Sequence, residues 1–172
     1  VSEILWRRLD RPGHEAARVD GTSIMGAAVF AHDGAACALA YNVVCDASWR
    51  TQWARVRGFL GGREIDVRID VDGERWLLNG NEVEAVRGCI DVDFNFSPST
   101  NLLPIRRGAI GTKVVAAWLR FPSFELQPLE QTYERIGEGT YRYSSATGFT
   151  ADIEVNEDGL PTHYPGLVSA ER

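Results

Sequence analysis

From Glu64 to Val71 charged and apolar residues alternate without error: Glu64, Asp66, Arg68 and Asp70 interleave with Ile65, Val67, Ile69 and Val71. Successive side chains of an extended chain point to opposite faces, so this is a strand with one wet and one dry face. No helix buries such a pattern. Asp72-Gly73 supplies a hairpin turn, residues 75–78 read as the return strand, and Asn79-Gly80 turns the chain again. Turn pairs recur at Asp20-Gly21, Asp33-Gly34, Gly61-Gly62 and Asp158-Gly159. Stretches of strand character lie among them at 23–30, 37–45, 53–60, 89–96, 114–121, 131–136, 140–143 and 149–155. Short strands joined by tight turns predict an antiparallel meander of about 11–14 strands. The helix signal is confined to a short turn at 102–108, where Pro104 fits only a first-turn position. No linker, low-complexity tract or internal repeat interrupts the chain, and residues 1–172 read as one all-β domain. So many strands curl or close, because a flat sheet leaves costly edges. The concave face of a curved sheet then offers room for a small ligand.

Composition supports an ordinary core, with 44% hydrophobic residues in 172. Charge narrows the partners. The net charge of −6 argues against general nucleic-acid binding, which rests on clustered cations neutralising phosphates. Residues 121–172 hold nine acids and three bases, whereas residues 1–120 hold fifteen of each. The same balance discourages electrostatic docking on anionic membranes, so any lipid contact must come from apolar capture or local arginines. Lys113 is the one lysine and sits in an apolar run. The patterns GxSxG, HExxH, GxGxxG and the P-loop are absent, and no cofactor is expected. Cys37, Cys45 and Cys89 are an odd number without a CxxC pair. That usage reads as reduced thiols in a cytoplasmic protein, with a Cys45–Cys89 bridge open as the alternative. No apolar run approaches the ~20 residues of a membrane helix, and no integral membrane segment is expected. A leader removed ahead of Val1 would leave no trace in this sequence.

The stretch 88–107 is the richest in chemistry. As a strand it places Ile90, Val92, Phe94 and Phe96 on one face and Asp91, Asp93 and Asn95 on the other, about 7 Å apart. After a Pro/Ser/Thr/Asn turn that includes Asn101, Arg106 and Arg107 arrive as natural counter-charges, since a guanidinium matches a carboxylate bidentately. This row is either a ligand-contacting patch or an internal Asp–Arg clamp. Asp91-Val92-Asp93 also matches the DxD pair of many glycosyltransferases, but the chain lacks their alternating βα units. A hard divalent cation wants three or more oxygen ligands, and no metal is expected. His14 and Glu15 are consecutive on a strand and face opposite ways, so they cannot act on one atom and read as surface charge beside the Pro12-Gly13 turn. Asp46, at the polar corner after Cys45, would pair with Arg50 or bind a ligand hydroxyl. Its neighbour Trp49 joins Trp53, Trp76, Trp118, Tyr41, Phe94 and Phe121 as aromatics that suit a β core or a sugar- or lipid-stacking wall.

Five blocks in order carry a resemblance. They are Arg-Arg-Leu-Asp-Arg-Pro-Gly-His-Glu at 7–15, Tyr-Asn-Val-Val-Cys-Asp-Ala-Ser-Trp at 41–49, Gly-Cys-Ile-Asp-Val-Asp at 88–93, Thr-Asn-Leu-Leu-Pro-Ile-Arg-Arg at 100–107, and Asp-Gly-Leu with Tyr-Pro-Gly-Leu within 158–167. Over nearly its whole length the chain resembles a bacterial glycolipid-binding family that was formerly a domain of unknown function. The resemblance implies a single, strongly curved antiparallel β-sheet or half-barrel, similar to bacterial lipoprotein carriers, that binds an amphiphile. Two tendencies of that family are weaker here, at Ser97-Pro98-Ser99-Thr100-Asn101 and at Leu102-Leu103-Pro104, and neither removes a charged group.

Three readings remain open. In the first, a glycolipid or similar amphiphile lies in the concave face, with Asp91, Asp93, Asn95, Asn101, Arg106 and Arg107 holding its head group at the rim and Asp46 and Trp49 nearby. In the second, the chain is an enzyme on a small sugar or lipid precursor, with Asp91 or Asp93 as general acid or base. In the third, the same residues form a rigid clamp in a structural or interaction domain. Ligand identity and oligomeric state have no signature in the sequence.

Overall fold

The alternation at 64–71 falls inside a strand, with Ile65, Val67 and Ile69 buried and Glu64, Asp66 and Arg68 exposed. In the computed structural model, which describes residues 1–171, that strand is one of fifteen in a single sheet. The first eight form an unbroken antiparallel meander: β1 (Ser2–Arg8), β2 (Gly13–Asp20), β3 (Ser23–His32), β4 (Ala35–Cys45), β5 (Thr51–Leu60), β6 (Arg63–Asp72), β7 (Arg75–Leu78) and β8 (Asn81–Glu82). A short β9 (Val92–Phe94) follows. A second meander then runs through β10 (Lys113–Arg120), β11 (Glu125–Gly137), β12 (Thr140–Ser145), β13 (Thr150–Val155), β14 (Pro161–Tyr164) and β15 (Val168–Glu171). β15 pairs with β1, which joins the two meanders side by side. The sheet edges are β8 and β9, so the sheet is not a closed barrel.

All-β architecture and curvature are as the alternation and turns imply. Fifteen strands exceed the expected range because very short pieces pair: β8 has two residues and β9 three. One pair departs from the antiparallel expectation, since β9 runs parallel to β10. No hairpin connects those two. Residues 95–112 intervene, and a connection of that length permits a parallel crossover.

The dry face of β1–β7 supplies nearly half of the core, including Ala17 and Val19, Ile24 and Phe30, Leu39, Tyr41 and Val43, Ala54 and Val56, then the β6 aliphatics. Each such Leu, Ile or Val, fully buried, is worth about 1.5–3 kcal/mol. Close packing at Tyr41 depends on a glycine opposite. Gly26 pairs with Tyr41 across β3–β4, and a Cβ there would lie 2.3 Å from the phenol oxygen.

The connection from β8 to β10 fills this face. It carries two 3-10 turns, Glu84–Val86 and Pro98–Asn101, and one helix, α1 (Leu102–Arg107), which Gly108 ends with a left-handed φ of 74°. The helix matches the expected turn, with Pro104 in its first turn. Val86, Phe94, Phe96, Leu102 and Leu103 of this segment are buried. Outward-facing amides of β9 are accepted by threonine hydroxyls, Val92 N–H by Thr51 at 3.0 Å and Phe94 N–H by Thr100 at 3.1 Å, which blunts the sheet edge. The three cysteines are free and buried. Among the described residues, no helix is long and apolar enough to cross a membrane.

Candidate functional site

Phe94 and Phe96 stack on each other at 5.1 Å and meet Tyr41 edge-on at 5.7 and 6.0 Å, which pins the connecting segment to the sheet. Where it turns after Phe96, Ser97 accepts from the Ser99 amide and caps the 3-10 turn Pro98–Asn101. Besides Asp91, two carboxylates meet this segment, Glu15 from β2 and Asp93 from within it, and their surroundings differ.

The first is Glu15, on the dry face of β2 and 1% exposed. Its Oε1 accepts from the Tyr41 hydroxyl at 2.6 Å and from the Ser97 hydroxyl at 2.5 Å, while Oε2 is buried without a partner among the described residues. Burial pushes the carboxyl up to about 7, against the hydrogen bonds of Ser97 and Tyr41 and the charge of Arg8. The expectation of a surface pair therefore holds for His14, whose ring is exposed, and fails for Glu15. The signal was present: Glu15 shares its strand parity with Ala17 and Val19, both buried.

The second is Asp93 of β9. Thr100 donates to its Oδ1 at 3.1 Å and the Gln131 amide to its Oδ2 at 3.0 Å. The same Gln131 amide donates to the Tyr143 hydroxyl at 2.9 Å. Burial pushes this carboxyl up to about 6, against those hydrogen bonds, and the Asp91 charge adds to the rise. Unlike Glu15, Asp93 borders open space. A cavity of about 380 Å³ lies beside it, lined by Asp93, Ser97, Asn101, Trp118, Tyr143 and Tyr164 together with Phe94, Leu129 and Phe149. That volume lies at the small end of ligand pockets, about 300–1,000 Å³.

The eight residues singled out in the sequence divide into groups. Asp93, Asn95 and Asn101 line the cavity. Asn101 also donates to the Tyr133 hydroxyl at 2.8 Å, and Asn95 holds the Phe121 backbone, accepting from its amide at 2.6 Å. Asp91 is engaged elsewhere, in a bidentate pair with Arg107 in which the second bond is 2.6 Å. Burial pushes the Asp91 carboxyl up, opposed by the Arg107 guanidinium. Arg107 also donates to the Trp49 carbonyl at 3.4 Å. Arg106 pairs with Asp158 at 2.7 Å and lies over the Trp49 ring at 5.6 Å. Asp46 folds its own corner, accepting from the amides of Ser48 and Arg50. The clamp and the cavity thus coexist as separate features of one segment, Asp91 serving the first and Asp93 the second. Residues missed in the sequence are Ser97, four residues along from Asp93, and Gln131, Tyr143 and Tyr164, which the fold brings to Asp93 and the cavity from distant positions.

A family model described as "Putative glycolipid-binding" matches residues 3–170. The crystal structure of a DUF1089 family protein from Pseudomonas aeruginosa is similar to this chain with a TM-score of 0.82 and 27% identity, over 90% of this chain and 90% of that one. No curated protein matches the chain.

Proposed function

Starting from a chain that belongs to this glycolipid-binding family, we propose that the protein binds a glycolipid or similar amphiphile in the cavity beside β9. The observation that carries the reading is the cavity itself, a mostly apolar space of about 380 Å³ with a hydrogen-bonding carboxylate, Asp93, on its wall. Asp93, Asn95 and Asn101 are the contacting residues in this reading. Asp91, Arg107 and Trp49 hold the segment that presents them, while Arg106 and Asp46 brace its flanks. Apolar walls with a few placed polar groups are what an amphiphile requires. The acid–base alternative is narrowed to Asp93, because Asp91 is held by Arg107 rather than facing the same space. We further propose a reducing, cytoplasmic compartment, which three unpaired cysteines would suit.

Native mass spectrometry of protein purified from its own host is the direct test. A co-purified lipid, or binding of one member of a lipid panel to the apo protein, is expected. Absence of both overturns the reading.

A further inference from the structure

An antiparallel sheet that meets water on one side carries polar residues there. β6 does so, with Glu64, Asp66, Arg68 and Asp70 outward. β3 and β4 do not. Their outward positions are uncharged, among them Met25, Ala27 and Val29 on one strand and Ala38, Ala40 and Asn42 on the other. Five of the ten large hydrophobic side chains left exposed among the described residues share this outer face: Leu5, Met25, Val29, Trp53 and Phe59. The ladder register links them, because Leu5, Ala16, Ala27 and Ala40 stand side by side across β1–β4. A groove of about 830 Å³ runs over the three alanines, bordered by Leu5, Arg18 and Met25, so the face is dented there. Monomers rarely expose a contiguous apolar patch larger than a few hundred Å².

Size and charge point to a second copy of this chain as the occupant. The strands β1–β6 span about 24 Å and the outward positions of β3 about 27 Å, a footprint of about 650 Å². Two copies face to face bury about 1,300 Å², within the ~1,200–2,000 Å² of specific interfaces. The charges at the rim are mixed, and Arg18 pairs with Asp20, Arg55 with Asp66 and Arg68 with Asp70. Such a rim offers no single-sign field to a nucleic acid or an anionic membrane. It is complementary to itself. With a twofold axis parallel to the strands and between β3 and β4, β1 of one copy lies over β6 of the other. The register then sets Ala27 against Ala40 and Val29 against Ala38, which lets the backbones approach at the axis. At the flanks Arg7 meets Glu64 and Glu3 meets Arg68, opposite charges in each case and twice over by symmetry. Arg18 meets Arg55, each already neutralised by its own acid. Glu3 and Glu64 are exposed and have no ion-pair partner among the described residues of their own chain.

We infer that the outer face of β1–β6 is a twofold interface between two copies of this chain, centred on β3 and β4. None of its residues lines the cavity beside β9, so the inference stands apart from the amphiphile reading.

The test is sedimentation velocity of the full chain at about 50 μM, above the dissociation constants of interfaces of this size. A species of twice the 19.0 kDa chain mass is expected. A monomer overturns the inference, and co-sedimentation of that monomer with phosphatidylglycerol vesicles would give the face to a membrane instead. Val29→Arg sets a charge beside the axis at a side chain 60% exposed in the single chain, so the fold is kept. It is expected to raise the dimer dissociation constant at least tenfold. Ile136→Arg, at an exposed position of β11, is expected to leave that constant unchanged. An intact dimer in Val29→Arg, or equal dissociation in Ile136→Arg, places any interface elsewhere and overturns the inference. If Val29→Arg does not fold, Met25→Glu takes its place with the same expectation. The axis is read from charge reversal. Glu64→Arg is expected to weaken the dimer about fivefold, and adding Arg7→Glu to restore it. A double variant as weak as the single one overturns the twofold arrangement.

Discussion

Glu15 and Asp93 are both carboxylates with titration pushed upward by burial, Glu15 facing the segment that crosses the sheet and Asp93 lying within it. Glu15 is closed in by Tyr41 and Ser97 and keeps one oxygen with no partner. Asp93 is held by two donors but borders open volume. The half of the sheet formed by β1–β7 is filled by the segment that crosses it, while the half formed by β10–β14 is left with space. Burial of a charged group alone does not mark a binding site. The adjoining cavity is what sets Asp93 apart from Glu15.

The largest effect tests the filled half. Arg107→Ala leaves Asp91, whose side chain is 3% exposed, as a buried charge without its partner. A cost of about 3–5 kcal/mol is expected, read from urea unfolding midpoints. A cost under about 1 kcal/mol, the value of an exposed pair, would mean that the clamp contributes no more than a surface bridge.

Next in size is pH. Glu15 and Asp93 have folded pKa values near 7 and 6 against ordinary values of 4.5 and 3.8. A raised acid binds its proton more tightly in the folded state. Its contribution to stability is therefore complete below the ordinary pKa and lost as pH rises through the folded one. The windows are pH 4.5 to 7 for Glu15 and 3.8 to 6 for Asp93. At about 1.4 kcal/mol per pH unit, Glu15 withdraws about 3 kcal/mol across its window. Thermal melts from pH 5 to 8 are expected to fall for the wild type and to flatten for Glu15→Gln. Parallel curves for the two proteins would show that Glu15 is not sealed.

Gly26→Ala is a smaller probe of the same sealing. The added Cβ, 2.3 Å from the Tyr41 hydroxyl, must displace the group that donates to Glu15. Overpacking of this kind costs about 1–3 kcal/mol, and equilibrium denaturation measures it. The smallest effect on stability belongs to the open half. Asp93→Asn is expected to change stability by under about 1 kcal/mol at pH 8, because it removes a charge that burial already disfavours. A larger loss in the same denaturation experiment would make Asp93 structural, as Asp91 is.

Much of the fold was legible from the chain. β6 and its neighbours follow from alternation, and the tight turns follow from Asp-Gly, Asn-Gly and Gly-Gly pairs. The segment from β8 to β10 was only partly legible. Ser97 to Asn101 are polar or turn-forming yet buried, because the sheet closes over them, and composition alone assigns such residues to the surface. Within the candidate site, Asp91 and Asp93 share strand parity and read as one row. They separate in the structure because Asp91 precedes the three residues of β9 and is taken by Arg107, whereas Asp93 pairs in register with Trp118.

The sequence by itself determined a curved, almost wholly antiparallel sheet, the place of its one short helix, and the segment that carries both clamp and cavity. Those properties reside in local alternation, turn residues and spacing. Only the tertiary structure decided that Glu15 is sealed and that Asp93 borders a cavity with Gln131, Tyr143 and Tyr164 around it. Partners 38 residues or more from Asp93 are chosen by how the sheet curves and what it encloses, and no local pattern encodes that.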